Sequence, residues 1–268
     1  MLFNSQIFLS FFLPLVFFSY YLCIIYFRDI AWLRKVILLL ASWLFYAWWD
    51  VRFLPLLICS ILVNWLVARL FIYYKIRKTV AFGIAFNLLL IGYFKYKNFF
   101  IENVNVFLDF EPSLNTIVLP IGISFFTFQQ IAYLVDIKKK RAPLYGLLDY
   151  SLFISFFPQL IAGPIVRHNE FMPQLMKSPL RDGFSERLSR GLTLLTIGLA
   201  KKIIFADTLG KHANSVFDIA KSTPPSLSES WSGTVAFSLQ IYFDFSAYSD
   251  MAIGLGLLFG FILPVNFN

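Results

Sequence analysis

The sequence predicts an all-α protein whose helices cross a membrane several times. Of its 268 residues, 59% are hydrophobic and only 14% are charged, and the mean hydropathy is +0.71. About a quarter of the residues in a soluble domain are charged. The apolar residues form runs that approach the roughly 20 residues of a spanning helix. Because a soluble domain of this size leaves much of its surface exposed, membrane lipids are the expected surroundings.

The N-terminal half predicts five spans separated by basic or polar segments. Aromatic residues crowd the ends of the apolar runs, as they do at membrane interfaces. The more polar segment 98–114 is interpreted as an external loop or an interfacial helix. The predicted spans are residues 7–27, 36–49 (a short span that Trp32 extends), 53–74, 79–94 (ending at Lys95 and Lys97) and 117–135.

The basic residues indicate an orientation for these spans. They form short clusters at residues 28–35, 75–78 and 138–141, the pattern of cytoplasmic loops in membrane proteins. Placing these clusters inside predicts an N-terminus outside, although Lys95 and Lys97 argue against it. The net charge is +8, but the sequence contains no basic stripe and no aromatic platform on which bases could stack. No nucleic-acid partner is therefore expected. The scattered His and Cys residues predict no metal site.

The C-terminal half has a less regular pattern. Residues 147–166 are interrupted by prolines and a glycine, so this segment must face protein or a wet cavity rather than lipid. Residues 173–190 are polar and predict an interfacial segment, and 221–232 predict a loop. Residues 191–205 are apolar despite Lys201 and Lys202, and residues 231–261 predict one long span or two half-spans. No repeat or linker divides the chain, so one membrane domain over residues 1–268 is expected.

Polar residues interrupt the apolar runs at three places, and two of these places lie before residue 170. In residues 119–129, Pro120 and Gly122 weaken a helix, and Gln129 either bonds neighbouring helices or lines a substrate path. In residues 155–168, Gln159 follows Pro158, and Arg167 either holds an anionic group or snorkels at the interface. His168 has polar neighbours and is interpreted as a surface histidine.

The third interruption places two carboxylates inside an apolar run. The alternation of polar residues over 240–250 suits a strand, whereas on a helix Gln240 and Asp244 share one face and Ser246 and Asp250 another. Charges at membrane depth normally face a cavity or a partner. A substrate channel is therefore predicted, and pairing of the carboxylates with Lys201, Lys202 or Arg167 is the structural alternative. The candidate channel residues of all three interruptions are Gln129, Gln159, Arg167, Gln240, Asp244, Ser246, Tyr248 and Asp250. Gly256 and Gly260, farther on, predict a close helix contact.

Taken in order, these motifs resemble the membrane-bound O-acyltransferase (MBOAT) family, in particular the branch that O-acetylates alginate and related exported polysaccharides. The proteins that D-alanylate teichoic acid form a sister branch. The start of the chain looks similar too, so the resemblance covers the whole chain. The matching segments are residues 3–5, 45–48, 119–129 with Asp136, 155–167, 198–209 and 240–261 followed by Pro264 and 266–268.

The resemblance implies a ring of helices around a central funnel in the inner, cytoplasmic membrane. It implies acetyl-CoA as the donor, with no bound cofactor, an exported polysaccharide as acceptor and an external acetyltransferase as partner. The family's catalytic histidine lies beyond a segment similar to 266–268. Neither His168 nor His212 matches its motif, so no catalytic role is assigned to either. The chain is therefore expected to be an N-terminal portion, incomplete at its C-terminus. D-alanyl transfer to a cell-wall polymer, or a non-catalytic transport or scaffold role, is the alternative.

Overall fold

The computed structural model describes residues 1–27, 30–108, 118–161 and 163–267, and within them it is helical, with no strand. The all-α prediction is confirmed. Short π-helical turns precede α1 and interrupt two long helices, at Gly92–Tyr96 and Lys201–Ala206. The α-helices are α1 (Leu13–Tyr26), α2 (Ala31–Ala47), α3 (Leu54–Tyr74), α4 (Arg77–Ile91), α5 (Lys97–Leu108), α6 (Ile123–Lys138), α7 (Leu147–Ser155), α8 (Phe157–Leu160), α9 (His168–Leu175), α10 (Phe184–Ala200), α11 (Asp207–Ala220) and α12 (Leu227–Leu258).

Three helical segments of the described residues are long and apolar enough to cross a membrane: Phe8–Tyr26, Val51–Tyr74 and Lys78–Ile101. The first and second agree with the predicted spans 7–27 and 53–74. Together with the many large apolar side chains left on the surface, they confirm a membrane protein. The short second span is helix α2, which has 17 residues and does include Trp32.

The fourth predicted span ends too early, because the helix continues through the π-turn into α5. The ammonium groups of Lys95 and Lys97 lie over the rings of Tyr96 and Tyr93, at 5.5 and 5.4 Å from their centroids. Lysine is itself a good helix former, and the aromatic rings attract the two ammonium groups. Segment 98–114 is therefore helical as far as Leu108, and its remainder, with Asp109 and Glu111, lies outside the described residues. Arg28 and Ile117, used in the topology prediction, also lie outside them.

The predicted loop 221–232 is also too long, because α12 begins at Leu227. The Ser226 hydroxyl accepts a hydrogen bond from the Glu229 amide, and the Glu229 carboxylate accepts one from the Ser226 amide at 2.8 Å. This reciprocal capping box supplies partners to amides that a helix start leaves unpaired. From there one helix of 32 residues runs to Leu258, which excludes both the two half-spans and the strand interpretation of residues 240–250.

The break predicted in residues 147–166 is present. Helix α7 ends at Ser155, and the four-residue helix α8 follows with Pro158 in its first turn. The Phe157 amide donates to the Ser42 hydroxyl at 3.1 Å, and the Trp43 indole donates to the Ser155 hydroxyl at 3.1 Å. Protein groups therefore supply the partners that lipid lacks, as expected for a broken segment.

The described residues divide into two compact units, and the prediction of a single domain stays a prediction. The first unit contains residues 1–27, 163–164 and 173–267. Its centre is the packing of α10 against α12. In α1, the hydroxyls of Tyr20 and Tyr21 donate to the carbonyls of Phe259 and Leu258, which holds α1 at the end of α12.

Glycines determine how closely α10 and α12 approach. A Cβ atom at Gly254 would lie 2.7 Å from the Gly191 carbonyl oxygen and 2.7 Å from the Leu195 amide nitrogen. The predicted contact through Gly256 and Gly260 is wrong. Gly260 has φ of +86° just after the helix end, and a Cβ at Gly256 would meet Leu263 of the returning chain rather than a second helix. Gly254 of α12 and Gly191 of α10 make the close contact instead.

The second unit contains residues 30–161 and 165–172. Helices α3 and α4 are joined by a reciprocal pair of buried amides, Asn64 and Asn87, whose side chains exchange hydrogen bonds of 3.2 and 2.6 Å. Helices α2 and α7 are joined by the ion pair between Lys35 and Asp149, at 2.7 Å. Polar side chains thus hold these apolar helices together, as they do in other membrane bundles.

Candidate functional site

A charged cluster lies in the first unit, where the π-turn after α10 faces α12. The Lys201 ammonium contacts the Asp250 carboxylate at 2.7 Å and the Ser246 hydroxyl at 3.0 Å. The Lys202 ammonium bridges the carboxylates of Asp244 and Asp207, the latter at 2.9 Å. We call Lys201, Lys202, Asp207, Asp244 and Asp250 the lysine–aspartate cluster. With two cations against three carboxylates, it carries a net negative charge.

Helix geometry explains how consecutive lysines reach carboxylates six residues apart. On an α-helix, neighbouring residues point about 100° apart, and residues six apart point about 120° apart. Lys201 and Lys202 can therefore each face one carboxylate of α12. The lysines open the π-helical turn Lys201–Ala206, and such single-turn insertions are frequent at functional sites.

A cavity of about 240 Å³ lies beside this cluster in the same unit. The ring of Tyr248 stacks on Phe3 at 4.5 Å between centroids, and its buried hydroxyl finds no hydrogen-bond partner in the part of the chain that the structure describes. The lining residues are Leu2, Asn4, Lys202, Asp244, Phe245, Tyr248 and Met251.

Five of the eight predicted channel residues therefore lie on α12. Asp244 and Asp250 are paired with Lys202 and Lys201, as the structural alternative anticipated. Asp244 and Tyr248 also line the cavity. Ser246 is fully buried against Lys201. The Gln240 amide packs on α11, where a Cβ at Gly210 would lie 2.8 Å from its nitrogen.

The other three predicted residues belong to the second unit. The Gln129 amide donates to the Val166 carbonyl at 3.3 Å, and the Gln159 amide donates to the Phe153 carbonyl. Both side chains are buried, so they bond neighbouring segments, the first of the two roles considered for Gln129. The Arg167 residue is exposed, and its backbone amide donates to the Glu170 carboxylate at 3.3 Å.

The interpretation of His168 as a surface histidine is wrong, because only 5% of the residue is exposed. Its Nε2 lies 3.1 Å from the Asp136 carboxylate and its Nδ1 lies 3.1 Å from the Tyr145 hydroxyl. Burial raises the pKa of Tyr145, which keeps its phenol protonated as a donor. Both ring nitrogens are thus engaged. The separation of 32 residues between His168 and Asp136 hid this cluster from sequence analysis, although Asp136 had been singled out within a motif.

No group of three or more His, Cys, Asp or Glu residues that could hold a metal ion occurs among the described residues. The ionisable groups that the structure brings together in the two clusters are of three kinds. These are paired ammonium and carboxylate groups, a buried phenol and a buried imidazole.

The region that carries these sites matches a known family. The family model described as "MBOAT, membrane-bound O-acyltransferase family" matches residues 121–268, more than half of the chain. The chain belongs to the MBOAT family. The match includes all eight predicted channel residues as well as His168.

Named MBOAT relatives extend the similarity to the whole chain. The peptidoglycan O-acetyltransferase of Helicobacter pylori is 41% identical over 100% of this chain and 56% of its own length. The "Probable alginate O-acetylase AlgI" of Pseudomonas aeruginosa is 37% identical over 100% of this chain and 51% of its own length. The teichoic acid D-alanyltransferase of Bacillus subtilis is 26% identical over 55% of this chain and 37% of its own length. The chain spans about half the length of the first two relatives.

Proposed function

We propose that this MBOAT chain takes part in O-acetylation of an exported polysaccharide, with acetyl-CoA as the cytoplasmic donor. The observation that carries the proposal is the cavity beside the lysine–aspartate cluster, whose lining residues other than Leu2 and Asn4 lie within the region that matches the family. Relatives named for O-acetylation of peptidoglycan and alginate match over the whole chain. Their names support the reaction class, while the choice of polysaccharide stays open between such glycans.

The proposed reaction is an acyl transfer. A hydroxyl oxygen of the first acceptor forms a bond to the acyl carbon, the bond from that carbon to sulfur breaks, and the thiol leaves with the proton that the hydroxyl gave up. A histidine base activates a hydroxyl in such reactions, and the family resemblance assigns that base to a segment beyond residue 268. The role proposed for the described residues is to hold the acyl group away from water within a charged, shaped path.

The proposed setting is the cytoplasmic membrane, with the N-terminus outside. The basic cluster 138–141 supports this orientation, because basic loops stay in the cytoplasm. The donor is then inside and the acceptor is exported, so the acyl group must cross the membrane. An external acetyltransferase is the proposed partner that completes delivery.

Substitution of Asp244 tests the proposed reaction. We expect Asp244→Asn to lower transfer of labelled acetyl from acetyl-CoA to polysaccharide, in membrane vesicles of a gene-deleted strain, by about tenfold or more, because misplaced reacting groups are costly. The abundance of the protein stays normal, since Lys202 keeps Asp207 as a partner. The matched control is Asp218→Asn in the exposed pair with Lys221, which leaves transfer unchanged.

Two results would contradict this prediction. Equal transfer by Asp244→Asn and Asp218→Asn would remove Asp244 from the substrate path. Absence of acetyl transfer by the wild type, together with D-alanyl transfer from a carrier thioester, would favour the activity named for the Bacillus subtilis relative.

Reporter fusions test the orientation. A fluorescent protein fused directly after Arg141 is expected to fluoresce, and alkaline phosphatase fused there to be inactive, because the first folds inside the cell and the second outside. The same pair of reporters fused before Met1 gives the opposite result and serves as the control. Active phosphatase after Arg141 would reverse the proposed orientation.

A further inference from the structure

We propose that an anionic phospholipid binds in a second cleft of the first unit, with its phosphate beside Arg181 and Arg187 and an acyl chain against residues 253–265. The cleft has a volume of about 780 Å³ and is lined by residues from 181–194 and from 253–265. We call it the arginine cleft, because Arg190 also lines it. It shares no lining residue with the cavity beside the lysine–aspartate cluster, and the inference does not depend on the proposed acyl transfer.

The guanidinium groups of Arg181 and Arg187 are held by backbone carbonyls rather than by carboxylates. Arg187 donates to the carbonyls of Pro179 and Asp182, at 3.0 and 2.7 Å. Arg181 donates to the carbonyl of Gly260 at 2.9 Å. Neither guanidinium forms an ion pair with a carboxylate of the described residues. Two positive charges are thus fixed at the cleft without a counter-charge on either of them.

This arrangement of two cations favours a bound anion. Arg181 and Arg187 are both half-buried, and a charge that is withdrawn from water without a partner costs free energy. Burial first, and then the charge of Arg187, lower the pKa of Arg181. Arginine nevertheless stays protonated in proteins, so the positive charge remains. A phosphate between or beside the two guanidiniums stabilises them, since arginine binds phosphate through several N–H groups at once.

The other charged groups of the arginine cleft do not neutralise it. Glu186 is paired with Arg190 at 2.8 Å, and Asp182 is exposed. Three arginines against two carboxylates leave one positive charge in the lining. Helix α10 also begins here, without a side-chain cap at Gly183, and the free amides of a helix start attract anions. One phosphate diester, with its single negative charge, therefore balances the cleft.

The remainder of the lining is apolar, which favours a lipid over a soluble anion. Ile253 and Leu257 come from α12, and the segment after α12 adds Ile262, Leu263 and Val265. Ile262 and Val265 are 58% and 68% exposed. A soluble phosphate leaves these side chains uncovered, whereas an acyl chain covers them and removes apolar surface from water. Basic pockets beside membrane helices bind lipid headgroups in this way.

The size and charge of the cleft indicate which part of a lipid it holds. A volume of about 780 Å³ holds roughly 26 groups of the size of a water molecule, at about 30 Å³ each. A phosphate headgroup, its glycerol and the first carbons of one acyl chain need a similar space. A zwitterionic lipid brings an ammonium group of its own and leaves the positive charge of the cleft unbalanced. A lipid with a net negative charge, such as phosphatidylglycerol, is therefore the expected ligand.

Binding of defined lipids to the whole chain tests this site. The protein is purified in a mild detergent and titrated with phosphatidylglycerol or with phosphatidylcholine of the same acyl chains. Native mass spectrometry then measures the affinity of the first lipid that binds. Inorganic phosphate and coenzyme A are added as competitors, because a site for a soluble anion would release the lipid to them.

The wild type is expected to bind phosphatidylglycerol about tenfold more tightly than phosphatidylcholine, the order of one charge-assisted hydrogen bond, and to keep it in the presence of both competitors. Arg187→Gln is expected to lower the affinity for phosphatidylglycerol about tenfold, which removes the preference. The control Lys211→Gln removes an exposed charge of the same unit outside the cleft lining, and it keeps the preference.

A second variant tests the site without touching the arginines. Ile262→Asp places a carboxylate at the exposed part of the apolar wall, where it repels the phosphate and is unfavourable next to an acyl chain. The backbone of Ile262 is held by the Gln174 side chain at 2.7 and 2.9 Å, so this variant is expected to fold. It is expected to bind phosphatidylglycerol at least about tenfold more weakly than the wild type.

Equal binding of the two lipids by the wild type, or an unchanged preference in either folded variant, overturns the inference. Displacement of phosphatidylglycerol by phosphate or by coenzyme A assigns the cleft to a soluble anion and overturns it as well. The size-exclusion profile and helical content establish that each variant is folded. If Arg187→Gln does not fold, Ile262→Asp decides alone. Acetyl transfer is not part of the measurement, so failure of the proposed function leaves this test unaffected.

Discussion

Gly254→Ala is expected to destabilise the first unit by about 1–3 kcal/mol, the usual cost of overpacking a close-packed contact. The new methyl carbon would lie 2.7 Å from two backbone atoms of α10, the Gly191 carbonyl oxygen and the Leu195 amide nitrogen. Backbone atoms cannot turn away as a flexible side chain can, so α10 and α12 must separate. The lysine–aspartate cluster joins the π-turn after α10 to α12, and we therefore expect acyl transfer to fall with stability.

Thermal unfolding in detergent, followed by size-exclusion chromatography, measures the effect. Gly92→Ala is the matched control, because nothing lies within 4 Å of the added methyl group and the residue has helical dihedral angles. Alanine is favoured over glycine in helices by up to about 1 kcal/mol, so the control is neutral or slightly stabilising. Equal stability of the two variants would contradict the close approach of α10 and α12.

Single substitutions at Lys201 and Asp250 are expected to lower the abundance of the protein in the membrane. The double variant that exchanges the two residues is expected to recover this abundance but not the activity. Each single substitution, Lys201→Asp or Asp250→Lys, leaves like charges together in a partly buried site. Breaking a fully buried pair costs about 3–5 kcal/mol. The side chains here are 31% and 15% exposed, which lowers the expected cost to about 1–3 kcal/mol. The double variant pairs opposite charges again and recovers abundance in the membrane.

Activity is expected to stay low in the double variant, because the Ser246 hydroxyl then faces a carboxylate in place of the Lys201 ammonium. The cluster next to the cavity is then rearranged. The control is the same exchange at Lys35 and Asp149, a pair of equal length in the second unit, for which both abundance and acetyl transfer recover. Recovery of transfer in the Lys201 and Asp250 exchange would show that the cluster serves only the fold.

Composition and local sequence pattern were sufficient to predict that the helices lie in membrane lipid and that the fold is all-α. Runs of apolar residues predicted membrane helices, since the bilayer demands both a length and an apolar surface. Prolines and glycines predicted where regular structure stops, and Pro158 does lie at a break between helices. The capping pattern of Ser226 and Glu229 was also available in the sequence. We interpreted that segment as a loop, so the start of α12 was missed although its signal was local.

The prediction of a substrate channel at the candidate site stays a prediction, and it rested on the same kind of local signal. Polar residues inside an apolar run indicated that the segment 240–250 faces partners or a cavity. The pattern did not distinguish an ion pair from the lining of a substrate path, and in the structure Asp244 both binds Lys202 and lines the cavity. Gln129 and Gln159 carried the same signal and proved to bond neighbouring segments.

The features that only the tertiary structure decided depend on contacts between residues far apart in the chain. The pairing of Lys201 with Asp250, the burial of His168 between Asp136 and Tyr145, and the contact of Gly254 with Gly191 each join segments separated by 23 to 63 positions. A local pattern shows that a side chain needs a partner, because its charge or size is costly in lipid. Only the packing of helices decides which partner it meets, because that depends on the distance and rotation between them.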